Sequence, residues 1–386
     1  MLLKVIKNIF RPAQPETRDD NLSGYTRNNN RINLLVWTHS FSSNGAAEMM
    51  MFLLVHLVRD LGWSVAAADR GISQRDRDQL AALGVPVLKY VNPSDFDVGL
   101  ASTTVSGLQM IETVGELLPC VLWVHEAHSV LWNSEDPISK WKMIFNQALT
   151  LIFQSEWQAK RIYGSFTSNL EDDRVVVIPN CLPSIVAGTA KPVEKSSVKR
   201  IVFLGRLCDL KRPADLIQAV SRINMENLEC IFVGNSDYLD SLPSEASRLL
   251  RSDKRFKLLG EIPRSEAMQV LADADVLCHP SADESQPLVL MEARALGVPV
   301  VISNLQVYAD SWRDGENCLI HACGDIDALK HCLLKVLDEG WKPKDTYDVQ
   351  QEDLARKMFL EEFVQVLMRG VGRRSFFNDP QSRESR

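Results

Sequence analysis

The chain lacks several features that would assign it to a class at once. Its 386 residues contain no apolar run near the roughly 20 residues that a membrane-spanning helix requires. Its eight cysteines include no C-x-x-C pair, and their scatter favours reduced thiols over a disulfide framework. Its net charge of −7 argues against nonspecific binding to nucleic acid. We therefore expect a cytoplasmic protein.

Common catalytic and nucleotide-binding motifs are also missing. No G-x-G-x-x-G follows the first strand of either half of the chain, which excludes a dehydrogenase of the usual dinucleotide-binding type. No P-loop and no G-x-S-x-G is present. His125 and His128 frame a His-Glu-Ala-His sequence, but they stand three positions apart after a strand. A zinc protease needs histidines four positions apart on a helix, so this pair does not predict a metal site.

Two successive series of alternating strands and helices occupy most of the chain. The strand-like segments are apolar without alternation, which predicts parallel sheets with helical crossovers. A chain of this length is also too long for one ordinary core. The sequence therefore predicts a lead-in, a first α/β domain, a linker, a second α/β domain, and a final helix with a tail, at residues 1–30, 31–185, 186–199, 200–350 and 351–386.

The first eleven residues are apolar and basic. Lys4 and Lys7 interrupt the apolar stretch and no small-residue cleavage site follows, so the segment does not have the pattern of a signal peptide. Leu2, Val5 and Ile9 fall on one helical face, which is compatible with peripheral contact at the membrane surface. A plain terminal helix or a frayed tail is the alternative.

Two glutamates, Glu284 and Glu292, are separated by seven residues. The first lies on a polar turn, and the second lies two turns into an apolar helix that Pro287 opens and Gly297 closes. Eight positions make a little over two helical turns, so both carboxylates can face one side. The first amides of the helix offer a backbone site for an anion. Carboxylates for hydroxyl groups together with amides for phosphate indicate a nucleotide-sugar ligand.

Four motifs follow one another along the chain. They are the small-residue loop 43–48, a strand that ends at His125, a Gly-Arg…Lys segment with Arg206 and Lys211, and the glutamate pair. In order and residue type they resemble the retaining GT-B glycosyltransferases of family 4, also called group 1, over roughly residues 32–345. The resemblance implies two doubly wound, Rossmann-like domains that face each other across a cleft, with a C-terminal helix that crosses back to the N-terminal domain.

The resemblance implies catalytic roles for four side chains. Arg206 and Lys211 would bind the diphosphate and stabilise the negative charge that collects on it as the glycosidic bond breaks. Glu284 would bind hydroxyl groups of the donor sugar, and His125 would lie beside the sugar and the diphosphate. Because two cations already face the phosphates, we expect no essential metal and no further cofactor.

The same resemblance implies a larger set of nucleotide-sugar contacts. Glu292 would bind the ribose, and the amides at 288 and 289 would contact the phosphates. Gly234 and Ile262 mark two turns that would approach the base. The complete set comprises Gly45, Arg206, Lys211, Gly234, Ile262, Glu284, Leu288, Val289 and Glu292.

The chain departs from the family pattern in two places. Many members have Gly-Phe-Gly after the first glutamate, where this chain has Ser285, Gln286 and Pro287. The usual Gly-Gly before the late Asp-Gly turn is replaced by the segment 303–306. Neither departure removes a charged group, so the pattern predicts an altered choice of donor and not a loss of activity.

The implied activity is transfer of a sugar from a nucleoside-diphosphate-sugar to an acceptor hydroxyl, with retention of anomeric configuration. A UDP-sugar or GDP-mannose would be the donor. A carbohydrate or lipid-linked acceptor would place the enzyme in polysaccharide, lipopolysaccharide or glycolipid synthesis. Two alternatives share the architecture, namely a sugar-nucleotide 2-epimerase and a catalytically silent binding partner. Product analysis without an acceptor separates the first alternative from transfer.

Overall fold

A computed structural model of the chain describes residues 25–38, 40–41, 44–129, 137–166, 173–183, 197–235, 242–344 and 347–377. The predicted membrane-surface segment 1–11 and most of the predicted linker 186–199 lie outside the described residues. So does the end of the predicted tail, after residue 377.

The first domain is built on a parallel sheet. Its strands are β1 Asn33–Trp37, β2 Ser64–Ala68, β3 Val87–Leu88, β4 Val98–Ser102, β5 Cys120–Trp123, β6 Thr150–Phe153 and β7 Val175–Val177, in the spatial order β3-β2-β1-β4-β5-β6-β7. The connecting helices are α1 Gly45–Val55, α2 Gln74–Leu83, α3 Thr104–Val114, α4 Pro137–Gln147 and α5 Glu156–Ile162. The strand order reverses direction beside β1, which opens a crevice at the carboxyl ends of β1 and β4.

Both faces of this sheet are covered, which explains the unalternating strands. Leu34 and Val36 pack into the core on one face of β1, and Leu35 and Trp37 pack into the core on the other. All four side chains are at most 1% exposed. A strand buried on both faces has no solvent side, so its sequence is a nearly continuous apolar run.

Local sequence signals set the bounds of α2. The side chain of Ser73 accepts a hydrogen bond from the amide of Asp76, and Gly84 ends the helix at a φ of 78°. Leu80 and Leu83 lie one turn apart and are buried against the sheet. Residues at or next to its ends therefore determine both bounds of this helix.

The second domain repeats the plan. Its strands are β8 Lys199–Leu204, β9 Leu228–Val233, β10 Phe256–Gly260, β11 Val276–His279, β12 Val300–Ser303 and β13 Leu319–His321, all parallel, in the order β10-β9-β8-β11-β12-β13. The helices are α6 Pro213–Ser221, α7 Ser244–Ser252, α8 Arg264–Ala272, α9 Leu288–Ala295 and α10 Ile326–Leu337. Here the strand order reverses between β8 and β11, which places the Lys211 and Glu284 loops side by side.

The last helix, α11 Val349–Phe377, crosses back to the first domain. Phe359 and Phe363 pack on Trp123 of β5 with ring centroids 5.7 and 4.4 Å apart. Gly370 lies against Val98 of β4 so closely that an added Cβ would come within 2.6 Å of its side chain. The expected crossing helix is confirmed, and the fold is the predicted pair of doubly wound domains.

Two details differ from the sequence-based expectation. Strand β13 is not evident from the sequence, because three residues after a polar loop are too few to show a strand pattern. Strand β8 begins at Lys199, the last residue of the predicted linker, because its backbone pairs with β9 from that position.

Among the described helices, none is both long enough and apolar enough to cross a membrane.

Candidate active site

The carboxyl ends of the two sheets meet across one cleft, and a loop of the second domain bridges it. This loop, residues 283–286, follows β11 and precedes α9. The amide of Ser129 donates to Asp283 Oδ2 at 2.7 Å, and Ser285 Oγ donates to the carbonyl of His125 at 2.8 Å. The amide of Asn180 donates to Gln286 Oε1 at 2.6 Å. These three contacts surround Glu284 with groups from the first domain.

Glu284 lies at the centre of a charged cluster. Its Oε1 atom forms an ion pair with Lys211 Nζ and lies 2.7 Å from His279 Nε2. The carboxylate is 7% exposed. Burial alone would raise the pKa of Glu284, but Lys211 and His279 outweigh burial and hold it well below its usual value. Glu284 is therefore a fixed anion at any ordinary pH.

The loop after β8 is joined to the loop after β11. Lys211 ends a single turn of 3₁₀ helix, Asp209–Lys211, and the carbonyl of Leu210 accepts from the amide of Ala282 at 2.8 Å. On the other side, Ser281 Oγ lies 3.1 Å from His279 Nε2. His279 is the buried last residue of β11, and its position at a strand end is the sequence signal that could have identified it.

Arg206 has a different environment from Lys211. Its side chain is exposed, and no salt bridge or hydrogen bond of it is seen within the described parts of the chain. It follows Gly205 at the end of β8. The carbonyl oxygen of Gly205 lies 2.0 Å from the position that a Cβ would take on Gly234. Packing of the β8 and β9 ends therefore requires glycine at 234, and Arg206 is left at the mouth of the cleft, available to an anion.

Two helix N-termini face each other across the cleft. α9 begins after Pro287, which provides no side-chain cap. The amides of Leu288 and Val289 lie in the first turn, so they have no acceptor within the helix. Opposite lies Gly45, the first residue of α1, and a Cβ on it would stand 3.5 Å from Leu288 Cδ1. The N-terminal ends of both helices carry partial positive charge. The open amides at the start of α9 suit a phosphate group at this end of the helix.

Glu292 is buried in α9 and is paired with a residue that the sequence did not indicate. Arg264 Nη2, at the start of α8, lies 2.5 Å from Glu292 Oε1, and Arg264 Nε lies 3.6 Å from Glu48 Oε2 of the first domain. Burial raises the pKa of Glu292, although Arg264 opposes this effect. Ile262, half-buried, precedes Arg264 by two residues. Arg264 was missed because its partners lie far away in sequence.

His125 follows β5 and borders the same cleft. Its Nδ1 atom lies 2.9 Å from Gln154 Nε2, and its ring centroid lies 4.2 Å from that of Trp123. The neighbouring Glu126 has a structural role, since its Oε1 atom accepts from the amide and the hydroxyl of Thr104 at 2.7 and 2.8 Å and so caps α3. Burial raises the pKa of Glu126.

The structure thus brings the predicted catalytic residues to one cleft. Lys211 and Glu284 are in direct contact, while Arg206 and His125 border the cleft from opposite domains. The residues that replace the family's Gly-Phe-Gly have a function that the sequence did not reveal, because Ser285 and Gln286 bind the first domain. An altered donor preference at this position stays a prediction.

Two parallel sheets that face each other across a cleft, with a final helix returning to the first domain, define the GT-B class of proteins. Within that class, residues 189–352 match the model of the family described as "Glycosyl transferases group 1". The match covers the second domain and the first residues of α11.

Two named glycosyltransferases are similar to parts of this chain. The chain is 28% identical over 256 residues to the UDP-Gal:alpha-D-GlcNAc-diphosphoundecaprenol alpha-1,3-galactosyltransferase of Escherichia coli, which covers 58% of this chain and 61% of that protein. It is 33% identical over 148 residues to a D-inositol 3-phosphate glycosyltransferase of Corynebacterium efficiens, covering 36% of this chain and 35% of the relative. The matches thus span less than two thirds of the length of these relatives.

A solved structure shows the same fold. The structure of Anabaena HepE in complex with UDP-glucose superposes with a TM-score of 0.69, covering 89% of this chain and all of that one. The two sequences are 18% identical, so this comparison establishes the fold alone.

Proposed function

We propose that the protein is a glycosyltransferase that moves a sugar from a nucleoside-diphosphate-sugar to an acceptor hydroxyl with retention of anomeric configuration. The observation that carries the proposal is the contact between Lys211 and Glu284 beside the open amide end of α9. The second-domain side of the cleft thereby offers both a fixed anion for sugar hydroxyls and cations and amides for a diphosphate.

The chemistry follows from this arrangement. As the bond between the anomeric carbon and the β-phosphate oxygen breaks, the acceptor oxygen bonds to that carbon on the same face. The acceptor proton passes to the departing phosphate oxygen, so a separate protein base is not required. Arg206 and Lys211 stabilise the charge on the leaving diphosphate, and one such contact is worth roughly a hundredfold in rate. Glu284 and His125 orient the sugar.

A UDP-sugar is the donor that the relatives favour. The galactosyltransferase of Escherichia coli is named for UDP-Gal, and the HepE structure holds UDP-glucose. The name of the former relative also includes a diphosphoundecaprenol-linked acceptor, which supports a lipid-linked or carbohydrate acceptor for this chain. Such an acceptor would place the activity in polysaccharide, lipopolysaccharide or glycolipid synthesis at the cytoplasmic face of a membrane.

Thermal unfolding in the presence of candidate ligands tests the proposal. UDP, GDP, ADP and their sugar conjugates are compared with and without magnesium, on the wild type and on Arg206→Ala. A ligand at a hundred times its dissociation constant adds about 2.7 kcal/mol of stability. We expect a shift with a UDP-sugar that needs no magnesium and is weaker in Arg206→Ala. If no nucleotide shifts the transition, the donor-binding function is wrong.

Product analysis completes the test. With labelled donor and a lipid-linked acceptor, the glycoside should keep the anomeric configuration of the donor. A C2-epimerised sugar formed in the absence of acceptor would instead assign the protein to the epimerases.

A further inference from the structure

A series of side-chain amide groups connects the backbone of the second domain to the ring of His125 in the first domain. His125, Gln154 and Asn180 stand in the loops that follow β5, β6 and β7, three neighbouring strands of the first domain. Gln154 Nε2 lies 2.9 Å from His125 Nδ1 and 3.3 Å from Asn180 Oδ1. Asn180 Nδ2 in turn donates to the backbone carbonyl of Gln286, in the second domain, at 3.1 Å. We call these four residues the cleft relay.

The backbone carbonyl of Gln286 fixes the orientation of the side-chain amides in the cleft relay. A backbone carbonyl only accepts, so the atom of Asn180 that faces Gln286 must be the NH₂ group. In a second contact between these residues, the backbone N–H of Asn180 donates to Gln286 Oε1 and holds Asn180 in place. Asn180 therefore presents its carbonyl oxygen to Gln154.

The same reasoning carries to the histidine. An oxygen of Asn180 that faces Gln154 requires the NH₂ group of Gln154 on that side, because the opposite orientation would set two carbonyl oxygens against each other. The second hydrogen of that NH₂ group then points to His125 Nδ1, which must accept it. Gln154 is 2% exposed and Asn180 is 7% exposed, so water competes little for these bonds.

We propose that Asn180 and Gln154 are positioning residues that fix His125 as the tautomer with its proton on Nε2. The carbonyl of Gln286 in the second domain sets the orientation of Asn180, which sets that of Gln154. The contact at Gln286 therefore determines which nitrogen of His125 can donate a hydrogen bond. A donor at Nε2 suits the hydroxyl and phosphate oxygens of a nucleotide-sugar. This last step rests on the proposed function, whereas the tautomer itself does not.

Nitrogen NMR of the intact protein labelled with ¹⁵N-histidine measures the tautomer directly. The chain has seven histidines, and the signals of His125 are assigned by their absence in His125→Gln. At alkaline pH, where imidazole is neutral, we expect a protonated Nε2 and an unprotonated Nδ1. A protonated Nδ1 in the wild type would overturn the proposal.

Three variants examine the origin of the preference. In Gln154→Glu the carboxylate can only accept, so the proton should move to Nδ1 and the two nitrogen signals should exchange character. In Asn180→Ala the amide of Gln154 is no longer held, so both tautomers should be present. Ser285→Ala, the matched control, removes a cleft hydrogen bond to the backbone of His125 and should leave the ring signals unchanged.

The outcomes divide cleanly. Asn180→Ala introduces no charge, unlike Gln154→Glu, so wild-type ring signals in Asn180→Ala would overturn the relay even if Gln154→Glu does not fold. Loss of the tautomer in Ser285→Ala would also overturn it, because a general loosening of the cleft would then explain the effect.

Transfer kinetics link the tautomer to the reaction. Loss of one pre-organised donor costs about a hundredfold, so kcat of Gln154→Glu at alkaline pH should fall by about that factor, with a smaller change in KM. Asn180→Ala should lose only about twofold in kcat, because part of the molecules keep the correct tautomer. An exchanged tautomer with unchanged kcat would leave the relay standing and refute the role of His125 in transfer.

Discussion

Glu284 and Glu292 are both buried, yet their environments act on them in opposite directions. Glu284 meets Lys211 and His279, and its pKa lies well below the usual value. Glu292 meets Arg264 alone among nearby cations in the described chain, and burial raises its pKa. Burial alone therefore does not decide the direction of a carboxylate's pKa shift, because the number and closeness of the cationic partners oppose it to different extents. The first glutamate is built to remain an anion, and the second can exchange a proton or a partner.

The largest expected contrast between the two glutamates is in the rate of transfer. Glu284→Gln removes the anion that orients the donor sugar, and we expect kcat to fall by about a hundredfold or more. Glu292→Gln should mainly raise KM for the donor, by about tenfold, since a ribose contact is equal in the ground state and the transition state. Steady-state kinetics on both variants make the comparison. Equal losses of kcat would show that the two carboxylates share one role.

The next contrast concerns the cations. Lys211→Met leaves the buried anion of Glu284 with His279 only, and we expect the free energy of unfolding to fall by about 2 kcal/mol. Arg264→Met should cost about 0.5 kcal/mol, because Arg264 is one-third exposed and Glu292 can bind a proton instead. Urea unfolding at neutral pH measures both values. A larger loss for Arg264→Met would reverse the assignment of the fixed and the exchangeable carboxylate.

The smallest contrast is in the pH dependence of stability. Because the folded pKa of Glu284 is lowered, its stabilising effect is complete above about pH 4.3 and is lost as the pH falls toward the folded pKa. The folded pKa of Glu292 is raised, so its contribution is complete below about pH 4.3 and declines as the pH rises through the folded pKa.

Unfolding curves across acidic and neutral pH distinguish the two carboxylates. Glu284→Gln should reduce the loss of stability as the pH falls, and Glu292→Gln should reduce the decline of stability as the pH rises toward neutral, with the larger effect for Glu284→Gln. Parallel curves for the two variants would contradict opposite pKa shifts. Asp327→Asn, at an exposed ion pair with Arg222, serves as the control and should change neither the acidic nor the near-neutral part of the curve of stability against pH.

The sequence predicted most of the fold because its signals are local. The cap at Ser73 and the glycine at 84 determine α2 without help from the rest of the chain. Strand β13 escaped detection because it is defined by its pairing with β12 and not by its own pattern. Ladder partners are a property of the folded sheet, and three residues alone do not reveal them.

The site was predicted in its residue types but not in its pairings. The motif identified Lys211 and Glu284, which are 73 residues apart, but it did not show that they form an ion pair. Arg264 was missed because only the folded chain brings it near Glu292, 28 residues away, and His279 was missed although it ends a strand five residues before Glu284. Ser285 and Gln286 appeared as departures from a family pattern, and their contacts with the first domain became evident only when both domains were in place.

The returning helix α11 also has a consequence for how the protein is made. Phe359 and Phe363 complete the core around Trp123, more than 230 residues earlier in the chain. Domains usually fold in order as they leave the ribosome. Here the first domain must wait, with an apolar surface uncovered, until the second has been synthesised and the last helix has emerged. The part of the molecule made first is therefore finished last.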